Sequence, residues 1–239
     1  MKDRAQSFGR LAAEYDRVRP GYPPEVVAWM LAKAPGRDVV DVGAGTGKLT
    51  RALHDAGFAV TAVEPDAGMR ELNPGALAGS GERLPLPDAS ADAVVYGQSW
   101  HWVEPGAALA EARRVLRPDG VLAAAWNYED PATDWIVEVG VAAGAERSTI
   151  PVAASGEVPI PPMPGVDGDE TWVHRWHRPL SIDELVLLVQ TWSWVSTRPA
   201  QEQEQIVEQV RAVVTPRAVD GHLDVPMVTV CRRVTLDRS

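Results

Sequence analysis

One eleven-residue stretch carries the strongest chemical signal in the chain, Val39-Val40-Asp41-Val42-Gly43-Ala44-Gly45-Thr46-Gly47-Lys48-Leu49. A β-branched apolar run that ends in glycines and passes into helix-period residues turns main-chain N–H groups outward. The missing Cβ atoms then let a ligand approach closely. Three ligand classes compete for such a loop. A phosphate cradle of the form G-x-x-x-x-G-K-[ST] needs a glycine where Val42 stands and a magnesium-binding hydroxyl where Leu49 stands. A dinucleotide fingerprint, G-x-G-x-x-G, needs its third glycine where Lys48 stands. What remains is D-x-G-x-G-x-G with a carboxylate, Glu64, 64 − 43 = 21 positions after Gly43. That is where a ribose-binding acid belongs, at the tip of the next strand.

A second cluster is Gln98-Ser99-Trp100-His101-Trp102, directly after the strand-like run Ala91–Gly97. This places it at the carboxyl edge of a sheet, where open α/β folds hold their ligands. His101 is the candidate general base, because an imidazole titrates near neutral pH. The alternatives are a histidine fixed by packing or one that only orients an acceptor. Trp100 and Trp102 are candidate aromatic walls, and Trp126-Asn127 ends the following strand on the same edge. His174 and His177 do not stand at metal-ligand spacing with nearby carboxylates, and the single cysteine, Cys231, rules out a cysteine-rich site; no metal is expected.

The elements that must position these residues alternate in type. Asp38–Val42, Phe58–Val63, Ala91–Gly97 and Val121–Trp126 read as strands. Between them, Leu49, Ala52, Leu53 and Ala56 recur at helical spacing with Gly57 at the C-cap position, and Pro105–Leu116 presents Leu109, Ala112 and Leu116 on one face. Continuous apolar strands separated by helices imply a parallel sheet covered on both faces. In the second half, Asp134–Arg147 reads as helix, Ile150–Gly168 as a Pro/Gly-rich loop and Thr171–His177 as strand. Ser181–Thr191, with a Ser181/Glu184 capping box, and Gln201–Val214 read as helices, and Val225–Val234 as a last strand with Pro226 at its start. The stripe Ile182, Leu185, Leu188, Val189 reads as core rather than lid.

Composition narrows the function classes. At about 150 residues per domain, 239 residues make roughly 1.6 domains, which suits one large domain or one with an insertion. A hydrophobic fraction of 45% supports a buried core and excludes a disordered chain. Net charge is 23 − 33 = −10 with arginines scattered rather than striped, which disfavours a nucleic-acid partner. The N-terminus lacks an apolar leader, and no window approaches the roughly 18 apolar residues of a membrane span, so a cytoplasmic protein without a membrane partner is expected.

Taken together the motifs resemble the S-adenosylmethionine site of class I methyltransferases, and more narrowly the small-molecule methyltransferases of ubiquinone/menaquinone and trans-aconitate type. The likeness is carried by the glycine loop with Glu64, Tyr15-Asp16, Arg19-Pro20-Gly21-Tyr22-Pro23, the stretch from Gly81-Glu82 to Pro87-Asp88, Gly97–Trp102, and Val115–Leu122. Their order matches from about residue 8 to about 127 and more loosely beyond. The resemblance implies an α/β, Rossmann-like, doubly wound, mostly parallel seven-stranded sheet with an antiparallel last strand and helical additions near the substrate side. It implies one domain over 1–239, with a lid and cofactor core in 1–127 and a more variable, substrate-shaping part in 128–239.

The same resemblance assigns residues. Gly43, Ala44, Gly45 and Gly47 would approach the methionine and ribose portion, Asp41 would orient the loop and favour the methionine ammonium, and Glu64 would accept from the ribose hydroxyls. Pro65, Asp66 and Met69 would flank the adenine, and Gly81-Glu82, where the family more often has Ala-Glu, would meet its edge. Tyr15 and Arg19 would close over the methionine end, Gln98 would contribute from the strand tip, and Trp100, Trp102 and Trp126 would line the substrate pocket beside His101. S-adenosylmethionine would be the cofactor, S-adenosylhomocysteine its product, a small molecule the acceptor, and the assembly a monomer or homodimer. The chain lacks the [DNS]-P-P-[YFW] motif after the strand Ala91–Gly97, which argues against methylation of base amino groups. A cofactor-binding enzyme with other chemistry, a non-catalytic binding module and, more distantly, a nicotinamide oxidoreductase are the competing readings.

Overall fold

The structure, a computed structural model, describes residues 16–146, 161–166 and 168–236. They group into two compact units. The first takes the described residues of 20–127, 160–174 and 229–239; the second takes those of 1–19, 128–159 and 175–228. Tyr15, Arg147 and most of the loop expected at Ile150–Gly168 lie outside the described residues.

The strands form one mixed sheet in the order β2-β1-β3-β4-β6-β5: β1 (Asp38–Val42), β2 (Ala59–Val63), β3 (Ala91–Gly97), β4 (Leu116–Glu129), β5 (Glu170–Ser181) and β6 (His222–Thr235). β1 pairs in parallel with β2, from Asp38 opposite Ala59 to Val42 opposite Val63, and with β3, where Val40 faces Val94. β3 and β4 are also parallel. β6 runs antiparallel to β4, since Leu236 N donates to Gly120 O and Asp130 N to Pro226 O. The architecture is the expected Rossmann-like one, with six strands among the described residues where seven were expected. Leu77 meets Val63 in a single parallel bridge, with Leu77 N donating to Ala62 O and Glu64 N to Leu77 O. Pro74, Gly75 at φ +97° and Gly79 flank it and stop the pairing from growing into a strand.

In the first unit, α1 (Pro24–Leu31) and α2 (Lys48–Asp55) pack against the sheet. Val26, Val27, Met30, Leu49 and Leu53 bury their apolar faces with Val39, Ala93, Val95, Ala123 and Cys231. Burial pushes the Cys231 thiol up to about 12, so it behaves as a small apolar side chain. α2 ends as its sequence implies, with Gly57 at φ +84° donating to His54 O. α3 (Ala67–Leu72) is capped by Asp66, and α4 (Pro105–Val115) by Glu104, whose carboxylate accepts from Gly106 N and Ala107 N. The turn expected at Pro118-Asp119-Gly120 lies inside β4 instead. Asp119 takes φ +63°, and the register slips between Ala91 and Ala93, as in a bulge.

The second unit holds α5 (Asp134–Ala142), α6 (Ile182–Gln190), the single turn α7 (Ser193–Ser196) and α8 (Ala200–Val214). The capping box before α6 is present: Ser181 Oγ accepts from Glu184 N while Glu184 accepts from Ser181 N. Its apolar stripe is core, with Leu185, Leu188 and Val189 buried against Ile136, Val139, Val210 and Met227. Pro226 stands inside β6 rather than at its start, and its carbonyl still serves the ladder.

Candidate active site

The glycine loop joins β1 to α2. Its glycines are required: Gly43, Gly45 and Gly47 have φ of +65°, +53° and +86°, and a Cβ on Gly43 would lie 2.6 Å from Ser99 Cβ. A Cβ on Gly45 would meet nothing within 4 Å, so this glycine borders open space. The expectation that the loop turns free N–H groups toward a ligand does not hold. Gly43 N and Ala44 N both donate to Val63 O, Gly45 N to Glu64 Oε2 and Gly47 N to Ala44 O. Closing the loop against the neighbouring strand tip consumes these donors, so it offers shape rather than the row of amides that phosphates need.

Two carboxylates stand at this edge in their place. Asp41 is fully buried; its Oδ2 accepts from Thr50 Oγ1 at 2.6 Å, and its Oδ1 has no hydrogen-bond partner among the described residues. Burial, helped by the charge of Glu64 and opposed by the Thr50 bonds, pushes the Asp41 carboxyl up to about 7. Glu64 is also buried, and its Oε1 accepts from Asp66 N at 2.8 Å. Each Glu64 oxygen therefore serves one backbone donor and keeps a further lone pair.

Beyond Glu64, Pro65 and Met69 are exposed, and Arg70 Nη1 ties the strand tip by donating to Glu64 O and Pro65 O. Glu82 loses by burial but gains more from the Glu104 N–H and the Ser80 hydroxyl, which together hold its carboxyl below the usual range. Gly81 lies against Tyr96; a Cβ there would be 2.8 Å from Val103 Cγ1 and 3.0 Å from Tyr96 Oη.

At the tip of β3, Gln98 adopts φ +58°, rare for a side-chain-bearing residue, and donates from Nε2 to Asn127 O at 2.8 Å. Ser99 Oγ donates to Val42 O at 2.6 Å, tying this tip to the glycine loop. Trp100, His101 and Trp102 form one 3₁₀ turn. Trp100 is only 3% exposed and sits edge-on to Tyr96 at 4.9 Å, and Trp126 is 2% exposed. Trp102, by contrast, is 80% exposed, with the His101 ring 4.8 Å away. Partial burial lowers the imidazole of His101, which favours its neutral form. Arg19 belongs to the second unit, where its Nη2 donates to Thr191 O. Thr50, Ser99 and Arg70 escape a reading of sequence because their partners are main-chain carbonyls or a buried carboxylate that residue types do not reveal. Among the described residues no three side chains are placed to hold a metal, and no helix is long and apolar enough to cross a membrane.

A mostly parallel sheet with a glycine loop after its first strand, backed by two carboxylates, is the Rossmann-like arrangement of an α/β fold. Comparison with known proteins agrees. The family described as a methyltransferase domain matches residues 40–124. The chain is 39% identical over 248 residues to an uncharacterized methyltransferase of Mycobacterium tuberculosis, covering 98% of each. It is 29% identical over 212 residues to an uncharacterized methyltransferase-like protein of Schizosaccharomyces pombe, covering 84% of this chain and 83% of that one. Among solved structures, a protein of Anaeromyxobacter dehalogenans named as a type II methyltransferase superposes with a TM-score of 0.62 at 25% identity, over 92% of this chain and 99% of that one. The chain belongs to the class I methyltransferase family.

Proposed function

We propose that the protein is an S-adenosylmethionine-dependent methyltransferase with a small-molecule acceptor. The observation that carries this reading is the buried Asp41 carboxyl, whose Oδ1 is unmatched at the foot of a loop that opens beside Gly45. An unsatisfied buried acceptor is costly unless a donor arrives, and a cationic ammonium is the donor it favours most. With the loop amides of Gly43, Ala44, Gly45 and Gly47 already engaged, a pyrophosphate would lose the row of backbone donors it needs and would meet two carboxylates. An amino-acid sulfonium, with its ammonium and sulfonium centres, finds two acids.

In this reading Asp41 takes the ammonium, the free lone pairs of Glu64 accept from the ribose hydroxyls, and Pro65, Met69 and Glu82 frame the adenine. Gly45 gives the close approach. Bound there, S-adenosylmethionine supplies an electrophilic methyl group. The chain's part is to align the acceptor and exclude water. Neutral His101 takes the acceptor's proton where one must leave, and exposed Trp102 offers an aromatic face to the acceptor. A net charge of −10 and the absence of a basic run support a small-molecule acceptor over a nucleic acid. Incubation with methyl-labelled cofactor and a metabolite panel tests the reading. It predicts label in one small product with S-adenosylhomocysteine released, whereas methylthioadenosine would mark different chemistry.

A further inference from the structure

Gln98, the residue directly after β3, is held in a left-handed backbone conformation, φ +58°, that glycine adopts freely and glutamine does not. Of the four described non-glycine residues with positive φ (Ala89, Gln98, Asp119 and Asp220) it alone directly follows a parallel strand. Its neighbours hold it there. Gln98 N donates to Ala125 O of β4 at 2.9 Å, and one residue on Ser99 Oγ donates to Val42 O of β1 at 2.6 Å. A strained residue locked between strand tips points to a function at that place. The side chain is fixed as well: Nε2 donates to the main-chain oxygen of Asn127 at 2.8 Å. Asn127 is nearly buried and itself pinned, its Oδ1 accepting from Thr229 Oγ1 at 2.6 Å and its Nδ2 donating to Gly21 O at 3.0 Å. The amide can lie only one way round, since its own oxygen against Asn127 O would be repelled. Oε1 is therefore left over. Among the described residues it meets no donor, yet it is not sealed off, and Gln98 is half-buried.

The order of strands places this oxygen. β1 has β2 on one flank and β3 on the other, so a crevice opens between the tips of β1 and β3, the switch point at which open α/β sheets hold ligands. Glu64 follows β2 and Asp41 lies on β1, while the Gln98 amide bridges the tips of β3 and β4, on the side away from Glu64. A nucleoside cofactor with its ribose at Glu64 and its ammonium at Asp41 leaves the β3 and β4 tips to the second substrate. We propose that Gln98 selects the methyl acceptor: its side-chain oxygen accepts from an O–H or N–H of that molecule, so the acceptor is an alcohol, phenol or amine and not a carboxylate. With its hydrogen held by Gln98, the acceptor oxygen or nitrogen keeps a lone pair for the methyl group. A carboxylate brings only lone pairs, and it would meet the Gln98 oxygen on an edge that already carries Asp41 and Glu64. This deepens the proposed function and rests on it for the cofactor.

The test incubates the full chain and methyl-labelled S-adenosylmethionine with one set of alcohols, phenols and amines and another of carboxylic acids. The expected products hold their label through alkali, as methyl ethers and methylamines do. Label released as methanol marks methyl esters and would overturn the assignment. For the best protic probe, Gln98→Met, which keeps the length but no hydrogen-bonding oxygen, is expected to raise KM about tenfold. Calorimetry is expected to show its dissociation constant for S-adenosylmethionine unchanged. Gln98→Gly removes the same oxygen and relieves the positive φ, so it carries the measurement if circular dichroism shows that Gln98→Met does not fold. An unmoved KM in a folded variant, or a loss that falls on the cofactor's dissociation constant instead, would overturn the role of Gln98. If the wild type binds no S-adenosylmethionine, or labels no probe, the proposed function fails and this inference with it. Ester products or an unmoved KM leave the proposed function standing and remove this inference alone.

Discussion

Glu64 closes the glycine loop onto the neighbouring strand by accepting from the Gly45 N–H at 2.8 Å with one oxygen, while its other oxygen accepts from Asp66 N at the same distance. A residue expected to face only a ribose therefore also builds the wall it stands in. Charge-assisted bonds from backbone donors to a buried carboxylate are among the stronger ones available.

Glu64→Gln follows from that double role. The amide keeps one oxygen and sets an NH₂ group against a backbone N–H, leaving one buried donor unmatched at a cost of about 1–3 kcal/mol. Urea denaturation is expected to show that loss, and calorimetry a cofactor affinity at least about tenfold weaker. A variant that keeps wild-type stability and binding would show that the clasp does neither job.

Asp41→Asn separates stability from function. The folded carboxyl titrates at about 7 against an ordinary value of 3.8, so between these values the folded chain holds a proton that the unfolded chain has released. Unfolding then releases protons, and wild-type stability falls as pH rises across that window and levels off above it. The neutral amide has no such slope. Melting temperatures at pH 5 and pH 8 are expected to differ less in the variant than in the wild type, with the variant gaining relative stability at the higher pH; parallel curves would contradict the burial argument.

These carboxylate roles mark where sequence stops being informative. β1, the glycine loop, α2 and β2 were legible because strand alternation, helix period and glycine punctuation are local, and so was the capping box at Ser181 and Glu184. What the loop does with its amides was not legible, since their acceptors, Val63 O and Glu64, come from the next strand. Nothing local distinguishes Trp100, buried on Tyr96, from Trp102, open to solvent two residues later; a 3₁₀ turn places them on different faces. Among the described residues the pairing beside β2 stays a single bridge at Leu77, flanked by Pro74, Gly75 and Gly79, and how far that pairing extends depends on β2 as much as on the local sequence.

Gly81→Ala tests the packing around the Gly81 backbone. The added methyl would enter space held by Val103 Cγ1 and Tyr96 Oη. Overpacking of this kind costs about 1–3 kcal/mol. Thermal denaturation is expected to show the loss in Gly81→Ala and recover part of it in Gly81→Ala with Tyr96→Phe, which removes one of the two obstacles. No loss in the single variant would mean that the Gly81 backbone shifts freely.

His101→Ala addresses the proton-transfer step apart from cofactor binding. For an acceptor that must lose a proton, kcat is expected to fall by about 10²–10⁴ with the dissociation constant for S-adenosylmethionine unchanged. Unaltered turnover would leave His101 as a packing partner of Trp102 only.

The most direct measurement is isothermal titration of the wild-type protein and Asp41→Asn with S-adenosylmethionine at pH 8, where the wild-type carboxyl is ionised. The account predicts one-to-one binding to the wild type, weakening as pH falls through about 7, and a loss of at least about tenfold in the variant. No heat from the wild type at millimolar cofactor, or equal affinities for the two proteins, would contradict it.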